Sequence, residues 1–166
     1  EVIKSRVKKP RSIVEKLHRR NLPITLDSMV NHLDDVAGIR VICSFVDDIY
    51  NVARMLVSQD DIRVIAVKDY IEHPKPNGYR SYHLIVEVPV FFSDRKKDMR
   101  VEVQIRTIAM DFWASLEHKI HYKFEGNAPE HIKDELVECA QMVSDLDARM
   151  LALNDEIQHI GQQQLA

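Results

Sequence analysis

The chain has 166 residues, 45% of them hydrophobic and 30% charged, which suits one domain with a sizeable core. Four glycines and six prolines are too few for a linker-rich or collagen-like chain, and no apolar run approaches the roughly 18–20 residues of a membrane span. The net charge of -3 is uneven, because the first 20 residues contain eight basic and two acidic side chains and the remainder contain 15 basic and 24 acidic ones.

The basic segment at the N-terminus leads into a predicted helix. Its charge favours an anionic ligand bound at one place, although a solvated face or a disordered arm explains it equally well. The run from Ser12 to Glu15 has the form of a capping box. It predicts a helix that continues to about Arg20 and ends before Pro23.

The remaining predicted elements are strands and helices in mixed order. Gly38–Phe45 is rich in branched residues and predicts a buried strand, after which Asp47 or Asp48 caps a helix. Further strands are predicted at Ile62–Ile71, Tyr82–Pro89 and Arg100–Arg106, a loop at His73–Ser81, and helices at Ile108–Tyr122 and from near Pro129. The order predicts an α/β or α+β fold in which helices pack against a mixed sheet.

The two cysteines indicate the compartment. Cys43 and Cys139 lie far apart and outside any C-x-x-C motif. This pattern argues against a disulfide scaffold and a thiolate zinc site, and it favours a reducing compartment, which we take to be the cytoplasm. Because the chain begins with Glu rather than Met, we expect an N-terminal piece to precede it.

The predicted strand Arg100–Arg106 carries polar side chains on one face. Alternation places Val101, Val103 and Ile105 on the core face. The opposite face then presents Arg100, Glu102, Gln104 and Arg106. Such a row of carboxylate, amide and guanidinium groups suits a metal and a polyanion, although an ordinary solvated sheet face is an equal alternative.

A second acidic group precedes the strand that begins at Gly38. Asp35 at the strand entry, with Gly38 leaving room for a ligand, suits a Mg²⁺ ion that also contacts phosphates. Arg40 lies within a hydrophobic run and must be paired or face a ligand. The alternative makes Asp34 and Asp35 turn residues and places Arg40 in a structural ion pair.

The loop from Lys75 to His83 combines cations with an aromatic ring beside Gly78. A base can stack on Tyr79 while Lys75 and His83 contact phosphates. A plain hairpin turn would explain Asn77 and Gly78 but not the flanking cations and aromatic residues.

The C-terminal segment has a heptad-like apolar repeat. Its members are Ile132, Leu136, Cys139, Val143, Leu146, Met150, Leu153, Ile157 and Ile160. A helix of this length spans about 45–50 Å, longer than a domain of this size covers. We expect its first half to pack on Ile108–Tyr122 and its second half, from Met150, to bind a neighbouring subunit. The alternative is a helix that folds back along its own domain.

Six motifs in order carry a family resemblance. They are R-x-K-x-x-x-S-x-x-x-K at Arg6–Lys16, D-x-A-G-x-R at Asp35–Arg40, K-D-Y-I at Lys68–Ile71, P-K-P-N-G-Y-R-S at Pro74–Ser81, E-V-Q-I-R-T at Glu102–Thr107 and M-D-F-W-A-S-L-E-H at Met110–His118. Together they resemble the synthetase domain of RelA/SpoT-type alarmone synthetases, and most closely the stand-alone small alarmone synthetases, from about Ser5 to Ile160. The hydrolase domain of the long relatives has no counterpart in this length.

The resemblance implies GTP pyrophosphokinase activity, in which the β,γ-pyrophosphoryl group of ATP passes to the 3′-hydroxyl of GDP or GTP and gives ppGpp or pppGpp. It also implies a nucleotidyltransferase-like fold with a mixed sheet of about five strands and a long C-terminal helix. Residues 1–128 would form the synthetase core, and residues 129–166 the helix for packing and oligomerisation.

The resemblance also implies a role for each matching residue. ATP would be bound by Arg6, Lys8, Ser12, Lys16, Arg19, Arg40 and Lys68, with Arg6 and Arg40 on the adenine. GDP or GTP would be bound by Lys75, Tyr79, His83, Gln104, Arg106 and Glu117, with Tyr79 stacked on guanine. Asp35 and Glu102 would be catalytic and hold Mg²⁺, and Glu102 would accept the 3′-hydroxyl proton.

The implied partners are ATP, GDP or GTP, further copies of the chain in a homotetramer, and a regulatory nucleotide or single-stranded RNA, with no membrane. Two other functions stay open on the residues alone. One is a non-catalytic nucleotide- or RNA-binding module, and the other is a metal-dependent nucleotidyltransferase that releases pyrophosphate. Two carboxylates beside phosphate-binding cations disfavour a pure binding module.

Overall fold

A computed structural model describes residues 2–164 of the chain. The strands in this range are β1 (Val2–Val7), β2 (Ala37–Cys43), β3 (Arg63–Asp69), β4 (Tyr82–Phe91) and β5 (Lys96–Thr107). The helices are α1 (Pro10–Arg19), α2 (Leu26–His32), α3 (Val46–Val57), α4 (Ile108–Lys123) and α5 (Glu130–Gln164). The strands form one sheet in the order β1-β2-β5-β4-β3. Only the β2–β5 pair within it is parallel, so the predicted mixed sheet of about five strands is confirmed.

One face of the sheet forms the main hydrophobic core. Most of the apolar residues of β2, β4 and β5 occupy alternate positions and point to the side that α3 covers. Ile49 of α3 and Ile105 of β5 are fully buried there. The other face of the sheet carries the polar residues of the same strands, together with the buried Ile42 and Ile85.

The N-terminal part of the chain differs from the prediction. Residues 2–7 form the edge strand β1, which was not predicted. Every residue in it is exposed, so buried and exposed side chains do not alternate along it. Helix α1 begins at Pro10 with Lys9 at its N-cap, so the predicted capping box at Ser12 is wrong. Proline suits the first helical position, since its missing N–H would have no partner there.

Two further helix starts also differ. Helix α2 was not predicted, and it is a short helix of seven residues whose cap, Thr25, accepts the N–H of Ser28. At α3 the N-cap is Phe45 rather than Asp47 or Asp48. Asp48 instead accepts the backbone N–H of Phe45 from inside the first turn, at 3.1 Å.

Helix α5 extends for 35 residues, and its two halves differ in their surroundings. In the first half Leu136 and Ala140 pack on Trp113 of α4, and the indole Nε1 of Trp113 donates to the Leu136 carbonyl at 2.8 Å. The predicted packing of this half on α4 is therefore confirmed. In the second half Leu153 is 51% and Ile157 65% exposed.

The predicted division into a core of residues 1–128 and a helix of residues 129–166 stays a prediction. Within residues 2–164, no helix combines the length and the apolar character needed to cross a membrane.

Candidate active site

The polar face of the sheet carries seven of the fifteen predicted site residues. One row across the five strands consists of Lys4, Arg40, Gln104, His83 and Lys68. The neighbouring row contains Arg6, Gly38 and Glu102. Residues opposite each other in a ladder share a face of the sheet, so strand pairing alone brings together groups that are distant in sequence.

Glu102 is held as a carboxylate by donors on both sides. The Nδ1 atom of His83 lies 3.2 Å from Glu102 Oε1, and Gln104 Nε2 donates to Glu102 Oε2 at 3.2 Å. The hydrogen bond from His83 lowers the pKa of Glu102 and outweighs the effect of burial, while the nearby charge of Asp35 acts in the opposite direction. Glu102 is thus an ionised acceptor in a partly dehydrated position.

Tyr79 is tied to the same network through its hydroxyl group. That oxygen accepts a hydrogen bond from Arg106 Nη2 at 2.6 Å and lies 2.8 Å from His83 Nε2. The ammonium group of Lys75 lies 4.9 Å from the centre of the Tyr79 ring and 4.8 Å from that of Tyr70. The ring of Tyr79 is therefore held in place against the candidate residues of β4 and β5, His83 and Arg106.

Arg40 and Arg106 share two acceptors. Asp111 Oδ1 accepts from Arg40 Nη1 at 3.2 Å and from Arg106 Nη1 at 3.1 Å. Gln104 Oε1 accepts from the Nη2 atoms of the same two arginines. Burial and the neighbouring Arg106 lower the pKa of Arg40, which indicates two cations held close together. An anion beside them would relieve their repulsion.

Asp35 is shared by two lysines. The Nζ atoms of Lys8 and Lys16 lie 2.6 and 2.7 Å from Asp35 Oδ2. Burial alone would raise the pKa of Asp35, but the two lysines together lower it to about 2. The second carboxylate oxygen, Oδ1, is buried and has no hydrogen-bond partner among the described residues.

Two neighbouring clefts lie over the polar face. One, of about 250 Å³, includes Arg6, Gly38, Arg40 and Glu102 in its lining. A Cβ atom added to Gly38 would meet nothing nearer than 3.8 Å, so the space above it belongs to the cleft. The other, of about 360 Å³, is lined by Tyr79 and also by Arg6 and Arg40. The shared arginines separate two spaces that suit two anionic ligands side by side.

The other predicted residues lie at the margins of this arrangement. Ser12 is a half-buried residue in the first turn of α1, and Lys68 is exposed on β3 opposite His83. Glu117 of α4 accepts a hydrogen bond from Asn77 Nδ2 at 3.4 Å. Arg19 is exposed at the last residue of α1, and no described contact joins it to the other candidates.

Three residues of the site were missed as candidates. Asp111 holds both arginines, Tyr70 lies edge-on to the rings of Tyr79 and His83, and Asn77 contacts Glu117. All three lie inside the motifs given above, but nothing in the local pattern of Tyr70 or Asn77 points to these partners. Only Asp111 offered a signal, an acidic residue in the first turn of a helix that follows an arginine-rich strand.

The site fits one hard divalent cation. Asp35 offers a buried oxygen that has no described hydrogen-bond partner. Glu102 offers a second carboxylate, which lies near enough for the charge of Asp35 to affect its pKa. Carboxylate oxygens are the ligands that Mg²⁺ prefers, with water and substrate phosphates completing the shell. Among the described residues, no group of three or more His, Cys, Asp or Glu side chains is placed to hold a metal ion. The arrangement thus suits a metal that binds together with a nucleotide.

We expect Asp35→Asn to remove a pH-dependent part of the stability. Because the pKa of Asp35 falls from 3.8 to about 2 on folding, its contribution is present above about pH 4 and is lost as the pH falls toward 2. This shift corresponds to about 2 kcal/mol of unfolding free energy. Urea unfolding measured between pH 6 and pH 2 should therefore show that the unfolding free energies of wild type and variant converge at low pH.

The control is Asp27→Asn, which removes an exposed carboxylate of α2. It should follow the wild-type profile. A constant gap between wild type and Asp35→Asn at every pH would contradict the role of the two lysines.

The family follows from comparison with other proteins. A model described as a region found in RelA / SpoT proteins matches residues 5–127. Similar proteins include the GTP pyrophosphokinase YwaC of Bacillus subtilis (strain 168), which is 53% identical over 157 residues, 95% of this chain and 75% of the relative. The GTP pyrophosphokinase YjbM of the same organism is 42% identical over 95% of this chain and 74% of the relative.

Solved structures agree with this family. The small alarmone synthetase 1 from Bacillus subtilis bound to its product pppGpp has a TM-score of 0.88 at 42% identity, over 95% of this chain and 79% of that one. The small alarmone synthetase 2 from the same organism has a TM-score of 0.87 at 51% identity, over 94% and 81%. The resemblance drawn from the six motifs is thereby confirmed, and the chain belongs to the RelA/SpoT family, within the small alarmone synthetases.

Proposed function

We propose that this chain is a GTP pyrophosphokinase that makes ppGpp or pppGpp in the stringent response. The observation that carries the proposal is the pair of clefts that share Arg6 and Arg40, the smaller of which is also lined by Glu102. The named activities of the two Bacillus subtilis relatives support it. In this reaction the acceptor 3′-oxygen forms a bond to the β-phosphorus of ATP. The bond between the β-phosphorus and the oxygen that bridges it to the α-phosphorus breaks, and AMP leaves with that oxygen.

The donor side is assigned to the cations around Asp35. The planar guanidinium groups of Arg6 and Arg40 suit stacking on adenine. Lys8 and Lys16 neutralise Asp35 in the absence of ligand, and ATP phosphates would compete for the same ammonium groups. Lys68, Ser12 and Arg19 complete the proposed donor set at its margin, and they have fewer described contacts than the central cations.

Asp35 and Glu102 are the proposed ligands of one Mg²⁺ ion. When bound, this ion would neutralise charge that develops on the transferred phosphates. The Oδ1 atom of Asp35 is the oxygen best suited to it, since Oδ2 already contacts two ammonium groups.

The acceptor side is assigned to the loop and to strands β4 and β5. Tyr79 would stack on guanine while Lys75, His83 and Gln104 contact the rest of the nucleotide. Arg106 and Glu117 support this side through Tyr79 and Asn77. Glu102, which accepts hydrogen bonds from His83 and Gln104, is placed to accept the 3′-hydroxyl proton. Most of the rate enhancement would come from positioning and charge neutralisation.

Incubation with ATP, GDP and Mg²⁺ tests the reaction. AMP and ppGpp should form in equal amounts, and EDTA should stop both. Nucleotide binding without AMP would favour a non-catalytic binding module, and free pyrophosphate would favour a nucleotidyltransferase.

Glu102→Gln should nearly abolish synthesis while the affinity for ATP falls little. An amide neither accepts the proton nor serves as a good ligand for a hard metal. Single-turnover AMP release and ATP binding measure the two effects, with Glu135→Gln on the exposed face of α5 as the matched control. Because general-base contributions run roughly 10²–10⁴-fold, a variant that keeps more than about a tenth of the rate removes Glu102 from this role.

Tyr79→Ala should raise the KM for the guanine nucleotide and leave the KM for ATP nearly unchanged. Base stacking on an aromatic ring is worth about 1–3 kcal/mol, which corresponds to a change of roughly 5- to 150-fold. Steady-state kinetics with each nucleotide varied in turn measures this, and Tyr122→Ala at an exposed position of α4 is the control. Equal losses for both nucleotides would mean that the loop has only a structural role.

We further propose that the chain assembles into a homotetramer in the cytoplasm. The exposed apolar stripe of α5, formed by Met142, Leu146, Met150, Leu153, Ile157 and Ile160, suits a neighbouring copy. Cys139 is an exposed free thiol on the same helix, which suits a reducing compartment. Binding of a regulatory nucleotide or single-stranded RNA stays a prediction.

Leu153→Glu combined with Ile157→Glu should reduce the mass in solution, because two charges would enter the apolar stripe. Light scattering at micromolar concentration measures it. Ala148→Glu with Ala152→Glu adds the same charge at exposed positions outside the stripe and should leave the mass unchanged. A wild-type chain that is monomeric would contradict the assembly proposal. A Leu153→Glu/Ile157→Glu variant with the same mass in solution as the wild type would contradict it too.

A further inference from the structure

The loop that carries Tyr79 lies directly against helix α5. Gly78 adopts a φ of +88°, and a Cβ added there would lie 2.5 Å from the Cβ of Ala140 and 3.7 Å from Trp113 Cζ2. Ala140 itself is only 3% exposed. No side chain therefore fits between the loop and the helix, and the position of the loop depends on that of α5.

Arg80 binds the following part of the loop to the same residue of α5, Ala140. Its Nη1 atom donates to the Ala140 carbonyl at 2.9 Å, and the side chain is half-buried. Ser81, which follows, is fully buried and its hydroxyl group donates to the Ile105 carbonyl at 3.3 Å. Tyr79 thus directly precedes two residues that are bound to the rigid body of the protein.

A second buried link joins α5 to the end of strand β5. Thr107 donates to Asp147 Oδ2 at 2.7 Å, and the same hydroxyl oxygen caps α4 by accepting the N–H of Met110 at 3.1 Å. Burial raises the pKa of Asp147, while the positive charge of Arg80 counteracts this. Thr107 directly follows Arg106, which donates to the Tyr79 hydroxyl group, so this link also joins α5 to the acceptor side.

We propose that the central part of α5, from Leu136 to Asp147, sets the affinity for the acceptor nucleotide, with Arg80 as a positioning residue. Arg80 acts through Tyr79, so this inference rests on the proposed acceptor role of that ring. Because α5 packs mainly on α4 and α3, whereas the donor residues lie on β1, β2, β3, α1 and the link between β1 and α1, the effect should be confined to the acceptor side.

Arg80→Met tests the link, since it removes the donor while keeping an unbranched aliphatic stem. The KM for GDP should rise about tenfold, as expected for a lost charge-assisted hydrogen bond, and the KM for ATP should stay unchanged. Arg80→Lys keeps a charged donor on a long side chain and should recover most of the affinity. Arg54→Met, at an exposed arginine of α3, is the matched control.

The contact between Gly78 and Ala140 gives an independent test that keeps Arg80 intact. Gly78→Ala places a methyl group 2.5 Å from the Ala140 Cβ, so the loop must shift and the KM for GDP should rise. Ala140→Gly removes the opposing atom. The double variant should therefore recover part of the loss, although the positive φ of residue 78 still disfavours alanine.

The outcomes separate the two proposals. If Tyr79→Ala raises the KM for GDP but neither Arg80→Met nor Gly78→Ala does, α5 does not position the loop and the inference is wrong. Equal KM increases for both nucleotides, or no recovery with Arg80→Lys and with the Gly78/Ala140 pair, also overturn it. If Tyr79→Ala itself leaves the KM for GDP unchanged, the acceptor assignment fails first and the inference fails with it.

Discussion

The pairing of β5 between β2 and β4 is the constraint on which the site depends. A parallel neighbour on one side and an antiparallel one on the other place Gly38 and His83 on the polar face that also carries Glu102 and Gln104. A slip of one residue in either ladder would turn these groups into the core and expose apolar ones. The apolar residues of β5 prevent that slip, because Ile105 is fully buried against α3 and its neighbours. Core packing thus holds the catalytic candidates in register.

The same charge arrangement occurs twice around this strand. Asp35 is shared by two lysines, and Asp111 is shared by Arg40 and Arg106. One carboxylate between two cations prevents their full repulsion but leaves one positive charge in excess. Each cluster is therefore stable without ligand and still attracts an anion, which is what a site for two polyphosphates needs. The carboxylates also order the long cationic side chains before binding, which reduces the entropy lost when a nucleotide arrives.

The sequence predicted best those parts in which one local pattern decides the structure. Alternation along β5 identified the face of Glu102, and the turn residues around Gly78 identified the loop. Strand β1 was not predicted, because both its faces are exposed and its pairing with β2 therefore leaves no hydrophobic pattern in the sequence. The contact of Asp111 with Arg40 was not predicted because the two residues lie 71 positions apart in the sequence and meet only in the finished fold. The roles assigned to the site residues came from the family motifs and stay predictions.

Helix α5 explains why a single apolar repeat can serve two surfaces. A straight α-helix has 3.6 residues per turn, so a strict seven-residue repeat drifts by about 20° per heptad around it. Leu136 and Val143 consequently face α4, whereas Leu153 and Ile157, two to three heptads later, have turned toward solvent. The helix is continuous between these regions. If a neighbouring subunit binds the outer residues, it therefore holds the same rigid element whose inner face contacts the loop of Tyr79 through Ala140. Assembly and acceptor binding would then be linked by one helix, with no separate signalling segment required.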